Sequence, residues 1–172
     1  MAHLGIFVYG TLKPGGQYHQ RYCQGDLQRE RGFQGPFPSP LVQAAMVPGR
    51  LYHLPQGYPA LTDGEGWVMG VLLRWQGAGA VLQRLLADLD DLEDYDPQTA
   101  AVGQGAGNLY DRQWRGVYHP DGRFWSYGWV YVMGRDRAQA LGGRWLPGGS
   151  WPETLDQPHG GVYNAPNPNV IP

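Results

Sequence analysis

Six carboxylic acids lie within the short segment 88–96, where they could bind a cation or supply an acid for catalysis: Asp88, Asp90, Asp91, Glu93, Asp94 and Asp96. An EF-hand loop needs oxygen ligands at its first, third and fifth positions and a glycine at the sixth. Counted from Asp88, the fifth position is Leu92 and the sixth is Glu93. The spacing therefore excludes a calcium loop of this kind.

The same acids follow a helical pattern, so the direction of each side chain can be counted. Residues 78–94 repeat apolar side chains at helical spacing and predict one helix that ends before Pro97. At about 100° per residue from Val81, the apolar side chains fill an arc from about 0° to 140°. Glu93, at about 120°, lies inside this arc, whereas four acids lie outside it: Asp88, Asp90, Asp91 and Asp94.

An ionised carboxylate directed at an apolar layer is unfavourable unless it gains hydrogen bonds, a cation or a raised pKa. Glu93 therefore has two interpretations. It is either a side chain at a helix end that extends to water, or a buried acid with a chemical role.

A second candidate site is the segment "IFVYGTLKPGG" at residues 6–16. Residues 4–9 predict a strand buried on both faces, and Gly10 ends it. The backbone N–H groups after such a strand can face a cleft and bind an oxyanion, although a simple turn is the alternative. The segment is not a phosphate loop, because Gly15 is followed by Gly16 and Gln17 rather than by Lys and Ser or Thr.

Composition removes several classes of function. The formal charge is −2 and no run of Lys or Arg occurs, which argues against nucleic acid and anionic membranes as partners. The N-terminus lacks a signal-peptide pattern and no segment is long and apolar enough to span a membrane, so we expect a cytoplasmic protein. Cys23 is the single cysteine, which excludes an internal disulfide and a thiolate metal cage. We expect no cofactor and no metal; the oligomeric state stays open.

Two further readings compete with an enzyme that uses Glu93. Cys23 lies four residues after His19, a spacing that suits a thiolate pair or part of a metal site, but no further ligands accompany them. Alternating aromatic residues at 125, 127, 129 and 131 could form a stacking face of a non-enzymatic module that binds a ligand or a protein. Such alternation also suits a half-buried strand.

The remaining elements predict an α+β fold on a mainly antiparallel or mixed sheet, because strands come before and after a single convincing helix, and the many short strands suit a closed or partly closed barrel. Segments 41–47, 49–55 and 66–75 predict strands, with a turn-rich link at 56–66, and 112–119 with 123–133 predict a hairpin. A small-residue loop covers 96–108. We expect one domain over 1–141 and a tail rich in glycine and proline over 142–172.

In order along the chain, "VYGTLKPG", "GRLYHL", "GYPAL", "LDDLEDY", "LYDRQ" and "WVYV" resemble the γ-glutamylcyclotransferase-like family, particularly its γ-glutamylamine cyclotransferase and AIG2-like branch. The resemblance covers about residues 4–133. It implies a small barrel with packed helices, Glu93 as the catalytic acid, and a substrate-binding set made of Tyr9, Gly10, Thr11, Leu12, Tyr58 and Tyr110. Relatives usually have glycine where this chain has Asp94, and segments 36–48 and 96–108 and the tail after 134 have no obvious counterpart.

The resemblance also implies the reaction. The α-amine of a γ-glutamyl compound attacks its own γ-carbonyl, which forms 5-oxoproline and releases an amine or amino acid. No covalent nucleophile is needed, so one carboxylate and a few backbone donors suffice. The expected partner is a small γ-glutamyl molecule.

Overall fold

The computed structural model describes residues 2–77, 79–101 and 107–152. Six strands are present in these ranges: β1 (Ala2–Val8), β2 (Leu41–His53), β3 (Pro59–Gly77), β4 (Asp111–Tyr118), β5 (Phe124–Val132) and β6 (Arg144–Leu146). The α-helices there are α1 (Asp26–Glu30), α2 (Gly79–Leu92), α3 (Pro97–Ala101) and α4 (Arg135–Ala140), and one π-helical turn covers His19–Cys23.

The strands form one mixed sheet in the order β3-β1-β5-β4-β2-β6, and β3 also pairs with β2. β1 is antiparallel to β3 but parallel to β5, and the β4–β5 hairpin is antiparallel as the sequence predicts. The mixed α+β fold with packed helices is therefore confirmed. Closure of the sheet into a barrel stays a prediction, because β1–β5 and β2–β4 are each joined by a single described residue pair.

The two longest strands differ from the sequence-based expectation. Segments 41–47 and 49–55 were expected as separate strands, but they join into β2 across a bulge between Pro48 and Arg50. β3 runs through most of the expected turn-rich link, where Gly64 and Gly66 take positive φ angles. Pairing of the two backbones over most of their length satisfies the N–H and C=O groups that a turn would leave open. Gly64 and Gly66 lie between the paired stretches 59–62 and 67–74, where their positive φ angles let β3 pass through the bulge.

The helix predicted over 78–94 is confirmed as α2, which ends at Leu92, two residues earlier than predicted. Its apolar side chains Leu82, Leu85 and Leu89 are buried in the core formed with β1 and β3. The sequence analysis missed the short helices α1, α3 and α4, which are too brief to show a periodic pattern. Among the described residues, no helix is both long and apolar enough to cross a membrane.

The chain continues to contact the fold beyond residue 141. β6 pairs with β2, and the indole N–H of Trp151 donates to His53 Nδ1 at 2.9 Å. The side chain of Lys13 donates to the carbonyl of Trp151. Residues 102–106 and 153–172, which hold parts of the expected loop and tail, lie outside the described residues. The division at residue 141 stays a prediction.

Candidate active site

A cavity of about 180 Å³ opens where the end of β1 meets the end of α2. Within the described residues it is lined mainly by tyrosines, leucines and backbone: Phe7, Val8, Tyr9, Gly10, Thr11, Leu12, Tyr18, Tyr58, Pro59, Leu92, Glu93, Leu109, Tyr110 and Tyr131. All seven predicted site residues are in this set. The structure thus brings together the helix-end acid and the loop after the first strand, which are far apart in sequence.

The end of α2 directs Glu93 into the cavity. The N–H of Tyr95 donates to the carbonyl of Asp90 at 2.9 Å, and the N–H of Asp94 donates to Asp91 at 3.4 Å. These two bonds form a Schellman motif, in which the residue after the helix takes a left-handed conformation. That residue is Asp94, with φ of 52°, which explains why a glycine suits this position. Glu93 is therefore held by the last turn, with its side chain facing inward.

Burial raises the pKa of Glu93 from 4.5 to about 7. Among the described residues, none donates a hydrogen bond to its carboxylate, and Glu93 is the single carboxylic acid of those that line the cavity. Apolar rings and leucine side chains take the place of water around the charge, so the protonated form is favoured. Near neutral pH such a group can both accept and return a proton.

The hydroxyl groups of two cavity tyrosines, Tyr9 and Tyr110, are bound to the backbone of the protein. The Tyr9 hydroxyl donates to the carbonyl of Tyr131 at 2.7 Å and accepts from the N–H of Leu61 at 3.3 Å. The Tyr110 hydroxyl donates to the carbonyl of Pro59 at 2.7 Å. Burial raises the pKa of both phenols, so they stay protonated. Their rings shape the cavity, and Glu93 is left as the group there that titrates near neutral pH.

Loop 9–12 has a fixed backbone. The carbonyl of Gly10 accepts from the N–H of Lys13, and the carbonyl of Thr11 accepts from the N–H of Tyr18, each at 3.0 Å. The carbonyl of Leu12 accepts from Nδ1 of His19 at 2.8 Å. In the described part of the chain, the N–H groups of residues 10–12 donate to no backbone carbonyl. This arrangement orients the loop and leaves its amides available to an anionic or carbonyl oxygen.

Gly10 is required by close packing. A Cβ atom at this position would lie 2.6 Å from Cγ of Pro59, which also lines the cavity. Tyr58, next to it in sequence, is partly buried against the core beside the cavity. Tyr58 and Pro59 of the "YPA" segment therefore form the part of the cavity wall that packs against Gly10.

Several cavity residues were not singled out from the sequence. Tyr18 was not named at all, and Tyr131 was named within the "WVYV" segment and among the alternating aromatics but not as a site residue. Asp90 was expected to point away from the core, yet its exposed fraction is 6%. The helical wheel could not show this, because the β4–β5 hairpin covers the flank of α2 beyond the apolar arc.

The competing interpretations gain little support. Burial raises the pKa of Cys23 to about 12, so its thiol is protonated, and His19 binds Leu12 instead. Tyr131 is buried and Trp125 packs partly against the core, so the four alternating aromatics do not share one exposed face. No group of three or more His, Cys, Asp and Glu side chains within the described ranges is arranged to hold a metal ion.

Comparisons with known proteins identify the family. Residues 6–153 match the family described as gamma-glutamyl cyclotransferase, AIG2-like. No curated protein matches the chain. The fold resembles YkqA from Bacillus subtilis, with a TM-score of 0.54 and 16% identity over 87% of this chain, which spans 40% of that one. It also resembles an AIG2-like protein from Mus musculus, with a TM-score of 0.52 and 20% identity over 77% of this chain and 78% of that one. These two likenesses show the fold alone, whereas the family match covers most of the sequence. The chain therefore belongs to the gamma-glutamyl cyclotransferase, AIG2-like family.

Proposed function

We propose that this protein is a γ-glutamyl cyclotransferase in which Glu93 acts as general base and then as general acid. The α-nitrogen of the substrate forms a bond to its γ-carbon, and the bond from that carbon to the departing nitrogen breaks. Glu93 takes a proton from the α-ammonium group before attack and returns it to the leaving nitrogen as the C–N bond breaks. The ring nitrogen also loses its second proton, which the released amine takes up to depart in its ammonium form. The products are 5-oxoproline and a free amine or amino acid, so atoms and charge balance without an oxidant or cofactor.

Intramolecular attack lowers the demand on the protein. Well-oriented ring closure reaches effective molarities of about 10⁵ to 10⁸ M, which corresponds to roughly 7 to 11 kcal/mol of the barrier. The protein must then hold the chain of the substrate in a folded conformation, move one proton and stabilise the oxyanion that develops on the γ-carbonyl. A small, mostly apolar cavity with one acid fits this short set of tasks.

The observation that carries the proposal is the position of Glu93. A carboxylate with its usual pKa near 4.5 is too weak a base for an ammonium group, whereas a pKa of about 7 matches the proton acceptor to neutral conditions. Its cavity is shared with the backbone of loop 9–12. The N–H groups of residues 10–12 would bind the substrate and the developing oxyanion, while the rings of Tyr9, Tyr58 and Tyr110 would enclose its carbon chain.

The test is release of 5-oxoproline from a panel of γ-glutamyl amines and γ-glutamyl peptides. The wild-type protein should turn over at least one of them, and Glu93→Gln should abolish turnover because glutamine keeps the shape but cannot accept the proton. Asp94→Asn is the matched control, since it removes an exposed acid one residue further along and should stay active. Turnover by Glu93→Gln at the wild-type rate would reject the assigned base. A panel without any turnover would favour the non-enzymatic binding module.

A further inference from the structure

A buried ion pair lies directly behind the cavity. Arg112 Nη1 donates to Oδ2 of Asp90 at 2.6 Å, and the Tyr131 hydroxyl donates to Oδ1 at 2.8 Å. The two charged side chains are 14% and 8% exposed. The guanidinium carbon of Arg112 also lies 4.8 Å from the ring centre of Trp129 and 5.3 Å from that of Tyr95. A charged pair shielded to this degree is unfavourable unless hydrogen bonds compensate for the lost water. Both oxygens of Asp90 accept such bonds, whereas Nε of Arg112 is buried without a partner among the described residues.

This network joins the end of helix α2, next to Glu93, to the β4–β5 hairpin, which contributes Tyr131 to the cavity. Arg112 and Tyr131 are opposite each other in the β4–β5 ladder, so both side chains leave the sheet on one face and meet Asp90 there. Asp90 is also the residue whose carbonyl accepts the N–H of Tyr95 in the turn after α2. Glu93 lies within this turn, and the ring of Tyr131 lines the cavity.

We propose that Asp90 and Arg112 form a positioning pair that fixes the last turn of α2 against Tyr131 and so sets the direction and shielding of the Glu93 carboxylate. Neither residue lines the cavity, so both act through Tyr131 and Tyr95 rather than on the substrate. The inference rests on the proposed function, because the direction of Glu93 matters only if that carboxylate carries the proton.

Three titratable groups among the described residues interact with Glu93, and of these only Tyr131 is bound to the pair. These are the phenols of Tyr9 from the end of β1, Tyr110 before β4, and Tyr131 from β5, each of which is influenced by the charge of Glu93. If the turn loosens, water reaches the carboxylate, and its pKa falls from about 7 toward its ordinary value. Misplacement of a reacting group by about 1 Å can reduce a rate by about 10²-fold.

Asp88 provides a matched control on the same helix. Like Asp90 it is 6% exposed, and it is bound by one arginine and one neutral donor, Arg31 and Gln28. Its partners belong to the α1 region, and none of the three lines the cavity. Substitution of Asp88 therefore disturbs an ion pair of α2 without disturbing the turn that holds Glu93.

The experiment compares Asp90→Asn with Asp88→Asn in the full chain. We expect Asp90→Asn to lower kcat about 10²-fold with KM changed less than kcat, and to move the acidic limb of the kcat/KM profile about one pH unit lower. Asp88→Asn should keep kcat within about twofold and leave the profile in place. Tyr131→Phe removes one hydroxyl and keeps the ion pair, and it should shift the profile in the same direction. This variant provides the test if Asp90→Asn does not fold. Equal effects of the two aspartate substitutions on kcat, with an unmoved profile, would overturn the proposal.

A second measurement separates this inference from the proposed function. The chain contains four glutamates, so the side-chain carboxyl carbon of Glu93 can be followed by ¹³C NMR and assigned with Glu93→Gln. Its titration midpoint should fall in Asp90→Asn or Tyr131→Phe but not in Asp88→Asn, whether or not any γ-glutamyl compound is turned over. A midpoint that is the same in all of these proteins refutes the positioning pair, while failure of turnover alone refutes only the enzyme.

Discussion

The raised pKa of Glu93 predicts that this acid reduces the stability of the fold at neutral and alkaline pH. In the folded protein the pKa is about 7, and the ordinary value is 4.5. The folded state therefore binds the proton more tightly than the unfolded state does. Protonated Glu93 contributes its full stabilisation below about pH 4.5, and this contribution is lost as pH rises through about 7.

The magnitude follows from the size of the shift. A difference of about 2.5 pKa units, at about 1.36 kcal/mol for each, corresponds to about 3 kcal/mol. Because Glu93 is partly open to the cavity, we treat this as an upper value. Glutamine resembles the protonated acid in shape and polarity but does not titrate. Glu93→Gln should therefore match the wild-type protein near pH 4.5 and exceed its free energy of unfolding by up to about 3 kcal/mol at pH 8.

Urea unfolding of both proteins between pH 4.5 and 8.5 tests this prediction. The difference between the two curves removes the contribution of every other titrating group. Asp94→Asn serves as the control, because Asp94 is exposed. The difference in free energy of unfolding between this variant and the wild-type protein should not show the increase with pH that is expected for Glu93→Gln. A stability difference between wild type and Glu93→Gln that stays level from pH 5 to 8 would refute the buried acid on which the proposed mechanism depends.

Four shorter predictions concern the same site. The kcat/KM of the wild-type protein should rise with pH around a midpoint of about 7, as measured by 5-oxoproline release; a midpoint near 4.5 would mean that Glu93 is solvated. Asp94→Gly should raise the free energy of unfolding by up to about 1 kcal/mol, because it relieves the left-handed φ; loss of stability in urea would reveal a side-chain contact that matters more. Gly10→Ala should lower the free energy of unfolding by about 1 to 3 kcal/mol and reduce activity, since its Cβ meets the Pro59 ring. A fully active, equally stable protein would show that the Pro59 ring can move to make room for the methyl group. Tyr9→Phe should lower the free energy of unfolding by about 1 to 3 kcal/mol, because the Leu61 N–H and the Tyr131 carbonyl lose their partner. An unchanged midpoint of urea unfolding would contradict this.

Local patterns were enough where a single element decides the result. The leucine spacing predicted α2, and the position of Glu93 on the apolar arc predicted an inward-facing acid. The apolar run followed by Gly10 predicted a buried strand that ends in a loop. In each case the residues that determine the structure are neighbours in sequence, so their preferences can be read directly from the chain.

Predictions failed where distant segments determine the conformation. The glycines of segment 56–66 favour a turn, but backbone pairing with β2 keeps the latter part of that segment within β3. Asp90 lies on the polar side of the helical wheel, but Arg112 and Tyr131 from the hairpin enclose it. These partners are separated from it by the segment after α2, and no periodicity within the helix reports on them.

The amino-acid sequence alone determined that one acid of a highly acidic helix end faces the apolar side, and that a glycine-bearing loop follows the first strand. The tertiary structure decided that these two features share one cavity, that the hydroxyls of Tyr9 and Tyr110 are bound to the backbone there, and that burial raises the pKa of Glu93 to about 7. The physical reason is that the direction of a side chain is set by local backbone geometry, whereas exclusion of water from it requires surfaces contributed by several distant elements.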